Sequence, residues 1–325
     1  MINVIDLFCG AGGFSWGFKD PPYILELAID IDPIVCKTYN LNFPETNVIT
    51  EDISKLHSLD ILKFIENSID IIIASPPCET FTNANKRRQK RPLDRLFLDE
   101  QGRLVLHTIR IIGDISPKLF IIENVPQLGI SELKGYLIDE FDRIGYKKIY
   151  FNLLRAQNFG SASKRTRLFI TNFKIEPIKD KKLQDSSVIK VLNSLPNPRN
   201  RHNIPNHEFI PLTGKNLKKI AKIRWGDSAV FYQAVNQINT NWKKLYPDQV
   251  CPTILGTSRY IHPYETRILT VREQALLQGF PNDFIFFGNL NQQYNQVGEA
   301  VPPPISKFLA NFIWNNYYRD NIIKF

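Results

Sequence analysis

Short apolar runs alternate with amphipathic stretches along the first half of the chain. Ile2 to Phe8, Ile24 to Asp30, Ile69 to Ala74, Lys118 to Ile122 and Arg167 to Phe173 are short and nearly continuous in apolar residues. Runs of this kind predict strands buried on both faces. Between them, Leu104 to Ile115 and Leu133 to Ile144 carry apolar residues at helical spacing. Strand, helix, strand at this rhythm predicts an α/β fold, a doubly wound parallel sheet with helices on both sides. After about Lys174 the pattern changes. From there to about Ser258 the chain is rich in Lys, Asn and Pro with weak periodicity, and predicts a separate irregular region. Pro302-Pro303-Pro304 then precedes Ile305 to Trp314, an apolar-periodic helix that predicts a return to the first domain.

Composition narrows the class. Of the 325 residues, 43% are hydrophobic and 22% charged, as in an ordinary globular protein. No uncharged apolar run approaches the roughly 20 residues of a membrane span. The first residues are not a signal peptide, so the expected compartment is the cytoplasm. The four cysteines, at 9, 36, 78 and 251, form no CxxC pair. A disulfide scaffold and a structural zinc site are not expected. The net charge of +9 favours a polyanionic partner, nucleic acid first. Lys86, Arg87, Arg88, Lys90 and Arg91 put five cations in six residues, as in a solvated loop or one that contacts phosphates.

Candidate chemistry sits at the ends of the predicted strands. Asp6-Leu7-Phe8-Cys9-Gly10-Ala11-Gly12-Gly13 follows the first strand, where glycines let backbone approach a ligand. Asp30, ending the second strand, is placed to bond a ribose. The spacing is neither GxGxxG nor a Walker pattern, which counts against a dinucleotide and against a P-loop. Ser75-Pro76-Pro77-Cys78-Glu79 ends the third strand, with two prolines stiffening the backbone before a cysteine. That cysteine is a nucleophile or a small buried apolar residue. Glu123-Asn124-Val125 ends the fourth strand, and its carboxylate suits a general acid or a helix cap. Arg165 and Arg167, two apart at a strand start, would point to one side and converge on one anionic object.

Taken in order, these segments resemble the cytosine-C5 DNA methyltransferases. DLFCGAGGFSWGF resembles that family's S-adenosylmethionine turn, SPPCETFT its nucleophile motif and Glu123-Asn124-Val125 its ENV motif. Phe159 to Arg167 resembles QxRxR, with Ser163 at the glutamine position. Arg267 to Glu273 with Leu277 to Pro281 resembles RxLTxRE…LQxFP. Tyr294 to Pro303 resembles YxQxGNxVPP, with Glu299 at the asparagine position. Glu79 stands where glutamine is commoner. The likeness runs from residue 3 to about 310, leaving Lys174 to about Ser258 unmatched.

The resemblance implies a Rossmann-like S-adenosylmethionine-dependent domain with a small irregular target-recognition domain. The expected divisions are 1–173 for catalysis and cofactor, 174–285 for target recognition and 286–325 for the return. It implies that Cys78 attacks carbon 6 of a flipped-out cytosine and Glu123 serves ring N3. Arg165 and Arg167 would steady the base and the catalytic loop. Phe8, Gly10, Ala11, Gly12, Gly13, Asp30, Ile31, Asp52, Ile53, Pro76, Leu104, Glu299, Ala300 and Val301 would line the cofactor site, with no metal. Lys86, Arg87, Arg88, Lys90, Arg91 and Arg259 would contact DNA; Arg224, Trp225 and Tyr260 are further candidates for base reading. The implied partners are duplex DNA and a cognate restriction endonuclease, for a monomer near the nucleoid of a bacterium or archaeon. A tRNA cytosine methyltransferase and an inactive DNA-binding regulator are the alternatives.

Overall fold

The computed structural model describes residues 1–82, 89–176, 186–234 and 237–319. The chain divides into two compact units. The first is Met1–Arg155, Thr166–Lys179 and Ile305–Phe325; the second is Ala156–Arg165 and Asp180–Pro304. These limits differ from the sequence-based ones. Residues 156–165 join the second unit because Ala162 and Lys164 exchange backbone bonds of 2.8 Å with Cys251. The return begins at Ile305 rather than 286. Before it, the Asn206 side chain brackets Phe286, donating to its carbonyl at 2.8 Å and accepting its N–H at 2.9 Å.

The first unit holds a seven-stranded sheet. Its strands are β1 (Ile2–Leu7), β2 (Tyr23–Asp30), β3 (Asn47–Thr50), β4 (Ile71–Ala74), β5 (Leu119–Asn124), β6 (Tyr150–Arg155) and β7 (Thr166–Thr171). They lie in the order β3-β2-β1-β4-β5-β7-β6. β1 to β5 are mutually parallel, but β7 runs antiparallel to both β5 and β6. The expectation of an all-parallel sheet is therefore corrected at one strand. β4 and β5 are buried along their whole length, as continuous apolar runs require. Helices α1 (Pro33–Asn42), α2 (Ser58–Leu62), α3 (Pro92–Phe97), α4 (Leu104–Ile115) and α5 (Ser131–Arg143) fill the connections. Phe120 of β5 stacks on Phe141 of α5 with ring centres 4.9 Å apart, and α4 contributes Val105, Ile109 and Ile112 to the same core.

The second unit contains α6 (Val188–Leu192), α7 (Gly214–Ala221), α8 (Val271–Gln278) and α9 (Leu290–Glu299). Strands β8 (Ser228–Ala234), β9 (Gln237–Lys244) and β10 (Tyr260–Ile261) form a small sheet in the order β10-β9-β8. The region expected to be irregular thus carries a hairpin and a short amphipathic helix. Its core there is small, built on Ile220, Ala229 and Ile261, so little apolar periodicity is needed. A buried ion pair stiffens the unit: both terminal nitrogens of Arg267 lie 2.7 Å from the Glu273 carboxylate. Glu273 also closes a capping box with Thr270 at the start of α8. The last helix, α10 (Pro303–Ile313), carries the chain back into the first unit.

Candidate active site

Strand register decides what meets at the carboxyl edge of the first unit's sheet. Leu7 of β1 pairs with Ile29 of β2 and with Ala74 of β4, and Ala74 pairs with Ile122 of β5. The residues just beyond these positions are the Gly-rich turn, Asp30, the Ser75–Cys78 segment and Glu123-Asn124. Chain order reverses between β1 and β4, where a doubly wound sheet opens its ligand crevice.

The Gly-rich turn uses backbone that few side chains allow. Phe8 leaves β1 at φ 58°, followed by Gly10 at 53° and Gly12 at 93°. A left-handed phenylalanine costs on the order of 1–2 kcal/mol. Surrounding bonds hold it: Cys9 N–H donates to the Ile29 carbonyl at 3.0 Å and Gly10 N–H to the Asp30 carboxylate at 2.9 Å. A Cβ on Gly12 would run into the Phe43 ring, whereas one on Gly10 would meet nothing within 4 Å. Ala11 and Gly13 are buried, so the open backbone of the turn is at Gly10.

The residues around that opening suit an adenosine-bearing ligand. Asp30 takes a second backbone donor, Asp32 N–H, at 3.0 Å; burial raises its pKa, against the pull of these N–H groups. Ile31 beside it exposes 66% of its surface, an apolar platform for a flat ring. The Ser54 hydroxyl holds Asp52 below the usual carboxylate range, while the adjoining Ile53 is buried. Pro76 is buried and Leu104, at the start of α4, is half-buried. Carboxylates for ribose hydroxyls, an exposed aliphatic platform and open backbone fit S-adenosylmethionine.

Behind the turn lies a buried chain that the sequence reading missed. Ser15 donates to Asp6 at 2.6 Å, and Tyr39 donates to Ser15 at 2.6 Å. Burial pushes the Asp6 carboxyl up to about 8. Its signal in the sequence was an aspartate inside an otherwise apolar buried strand.

The Cys78 segment is held by buried anchors. Asn124, itself buried, donates to the Pro76 carbonyl at 3.1 Å and accepts Val125 N–H at 2.9 Å. Beyond Cys78, Phe81 is buried and its N–H closes a turn onto the Cys78 carbonyl at 3.0 Å. Thr80 donates to Asp99 at 2.6 Å. Cys9, Cys36 and Cys251 are all buried, and burial raises each of their thiol pKa values. Cys78 is half-exposed, the one thiol of the four that a substrate can reach. Accessibility, with the thiolate, is what nucleophilic cysteine chemistry needs.

Glu123 stands on β5 beside that segment, buried, with Arg167 Nε 3.0 Å from its carboxylate. The antiparallel direction of β7 explains this meeting. Asn124 pairs with Leu168, so β7 begins at the edge where β5 ends and Arg167 enters beside Glu123. A parallel strand would have put that arginine at the opposite edge.

Arg165 has different partners. It lies in the second unit, 2% exposed, and donates to the carbonyls of Ile254, Gly298 and Glu299 at 3.0, 2.6 and 3.2 Å. Arg165 thus binds main-chain carbonyls within the second unit, while Arg167 stands beside Glu123 in the first. β7 begins at Thr166, so the alternation rule does not join the two. Ser163 is buried and donates to Gln278 of α8 at 2.9 Å. Glu299 is exposed, Ala300 half-buried and Val301 buried. Arg259 is turned inward within the same unit, 3.8 Å above the Tyr294 ring and bonded to Gly256, Ser258 and Asn291. These contacts give Arg259 a part in the unit's scaffold. Lys86, Arg87 and Arg88 lie outside the described residues; Lys90 and Arg91 are exposed.

Known proteins resemble this chain over nearly its whole length. The sequence profile of the family described as C-5 cytosine-specific DNA methylase matches residues 2–315. M.MJ0563P of Methanocaldococcus jannaschii is 44% identical over 317 residues, covering 96% of this chain and 99% of its own. The type II methyltransferase M.DdeI of Desulfomicrobium norvegicum is 32% identical, covering 99% of this chain and 90% of its own. The crystal structure of an E. coli prophage chain assigned as a DNA modification methyltransferase has the same fold. It superimposes with a TM-score of 0.77 at 24% identity over 97% of this chain and 99% of that one.

Proposed function

The chain belongs to the C-5 cytosine-specific DNA methylase family, and from that premise we propose that Cys78, Glu123 and Arg167 form its methylation site. The reaction is methylation of cytosine carbon 5 in duplex DNA at a short site. The half-exposed Cys78, on a segment clamped by Asn124 beside Glu123, is the observation that carries this reading.

Carbon 5 of cytosine is a poor nucleophile. The Cys78 thiolate adds to carbon 6, forming an S–C bond and moving the ring electrons so that carbon 5 becomes enamine-like. Glu123 shares a proton with ring N3, offsetting the charge that develops on the ring. Arg167 fixes the carboxylate's direction and is a positioning residue. S-adenosylmethionine, when bound, supplies the methyl group as an electrophile. Loss of the carbon 5 proton to a base then lets the carbon 6–sulfur bond break and returns the thiolate. Gly10, Asp30, Ile31 and Asp52 would hold the cofactor. Flipping the base from the stack costs a few kcal/mol, which contacts to phosphates must offset. In the cell the protein acts as a monomer in the cytoplasm and protects DNA from a cognate endonuclease.

The test uses duplex DNA carrying 5-fluorocytosine together with S-adenosylmethionine. Fluorine cannot leave carbon 5 as a proton does, so a covalent complex should persist in wild type and vanish in Cys78→Ala. Cys78 is half-exposed and only borders the core, so the variant should stay folded, which its melting curve checks. A complex that survives in Cys78→Ala, or methylation of tRNA with none of duplex DNA, overturns the reading.

A further inference from the structure

The excess positive charge is unevenly shared. The first unit carries 24 Lys and Arg against 23 Asp and Glu; the second carries 17 against 9. Nearly all of the net +9 therefore belongs to the smaller unit. Its densest source is α7, with the sequence GKNLKKIA. Lys215, Lys218, Lys219 and the C-cap Lys222 recur at i, i+3, i+4 and i+7, along one helix face. All four are exposed, as is Arg224 just beyond. The other face is fixed inward by Ile220, which is buried with Ala229 and Ile261.

A face made only for solubility mixes signs, because like charges three and four apart destabilise a helix. α7 contains no acidic residue. Among the described residues no ion pair holds any of these five cations. The helix dipole accounts for cations in the last turn, Lys218 and Lys219, but it opposes Lys215 in the first. The repulsion along this face is left for a polyanion to relieve. From Lys215 to Lys222 the helix rises about 10 Å. That matches about three successive phosphates of one DNA strand, spaced roughly 3.4 Å along the duplex axis.

We propose that the lysine face of α7 is the surface on which the second unit grips the sugar–phosphate backbone of duplex DNA. The inference rests on the duplex-DNA reading above and adds the place where the smaller unit holds it. Lysine is a flexible point charge, so the contact positions the duplex without reading its sequence.

The test compares wild type with K215A/K218A/K219A/K222A by anisotropy of a labelled duplex over about 50–200 mM salt. Alanine preserves the helix. The plot of log affinity against log salt should become shallower by about 2–4, at about 0.9 for each phosphate no longer neutralised. The change should be alike for duplexes with and without a methylated site. The milder K215A/K222A pair should lose about half as much, and K215R/K218R/K219R/K222R should keep the wild-type slope. A folded alanine variant with the wild-type slope overturns the proposal while wild-type binding and methylation leave the DNA reading standing. A wild type that neither binds nor methylates duplex DNA overturns both.

Discussion

Asp6 shows how one buried group can tie stability to pH. Its carboxyl is held at about 8 in the folded chain, chiefly by burial and against the Ser15 bond. In the unfolded chain it ionises near the ordinary value of 3.8. The folded state therefore keeps a proton that the unfolded state gives up. The stabilising contribution is full below about 4, falls as pH rises to about 8, and then levels off. Each unit of separation is worth about 1.4 kcal/mol. Asp6→Asn accepts the same Ser15 bond and cannot ionise. Its stability relative to wild type should rise steadily from pH 4 to 8 in urea unfolding; a pH-independent difference would contradict the assignment. Sequence reading singled out Cys78 and Glu123 because each ends an apolar run with a chemically distinctive residue. It named Asp6 at the start of the Gly-rich segment but could not reach its bonds, because Ser15 and Tyr39 are joined to it only by packing.

At the level of elements, direction was the hidden variable. Arg167 to Phe173 is equally apolar whichever way it runs, so the run marks β7 without saying that it is antiparallel. β3 and β6 escaped notice because edge strands are short or half-polar: Asn47–Thr50 has four residues, and Tyr150–Arg155 has a single buried one. The partners of Arg165 were illegible for another reason, since Ile254, Gly298 and Glu299 approach it from two distant segments. The planar guanidinium reaches three carbonyls that an ammonium cannot span together. Arg165→Lys should cost about 1.5–3 kcal/mol through the loss of charge-assisted bonds. It should lower the melting temperature, and methyl transfer should fall with it. Normal stability with abolished activity would instead give Arg165 a direct part in the chemistry.

For the whole molecule, the return of the chain through α10 matters most. Gly17 N–H donates to the Ser306 hydroxyl at 2.9 Å, that hydroxyl donates to the Phe14 carbonyl, and Tyr23 donates to the Ala310 carbonyl at 2.6 Å. Phe14 and Gly17 follow the Gly-rich turn directly. A Cβ at Gly17 would run into the backbone of Ser306 and Lys307. Gly17→Ala should therefore destabilise the protein by about 1–3 kcal/mol, as overpacking does. It should also weaken S-adenosylmethionine binding measured by calorimetry, although residue 17 need not touch the ligand. Unchanged binding and melting would show that α10 can shift freely. The return itself was visible in the apolar periodicity of Ile305 to Trp314, but the point of re-entry depended on Asn206 and Phe286 and was not.

The same staple bears on synthesis. Ile305, Leu309, Ala310 and Ile313 are buried, so the first unit lacks part of its core until these residues have been made. A nascent chain leaves the ribosome at about 5–20 residues per second. For tens of seconds the growing chain carries Cys78 and the Gly-rich turn but not the helix that braces the turn. An enzyme threaded in this way becomes competent only once α10 has been made, and a message interrupted before that helix yields a fragment that lacks its brace.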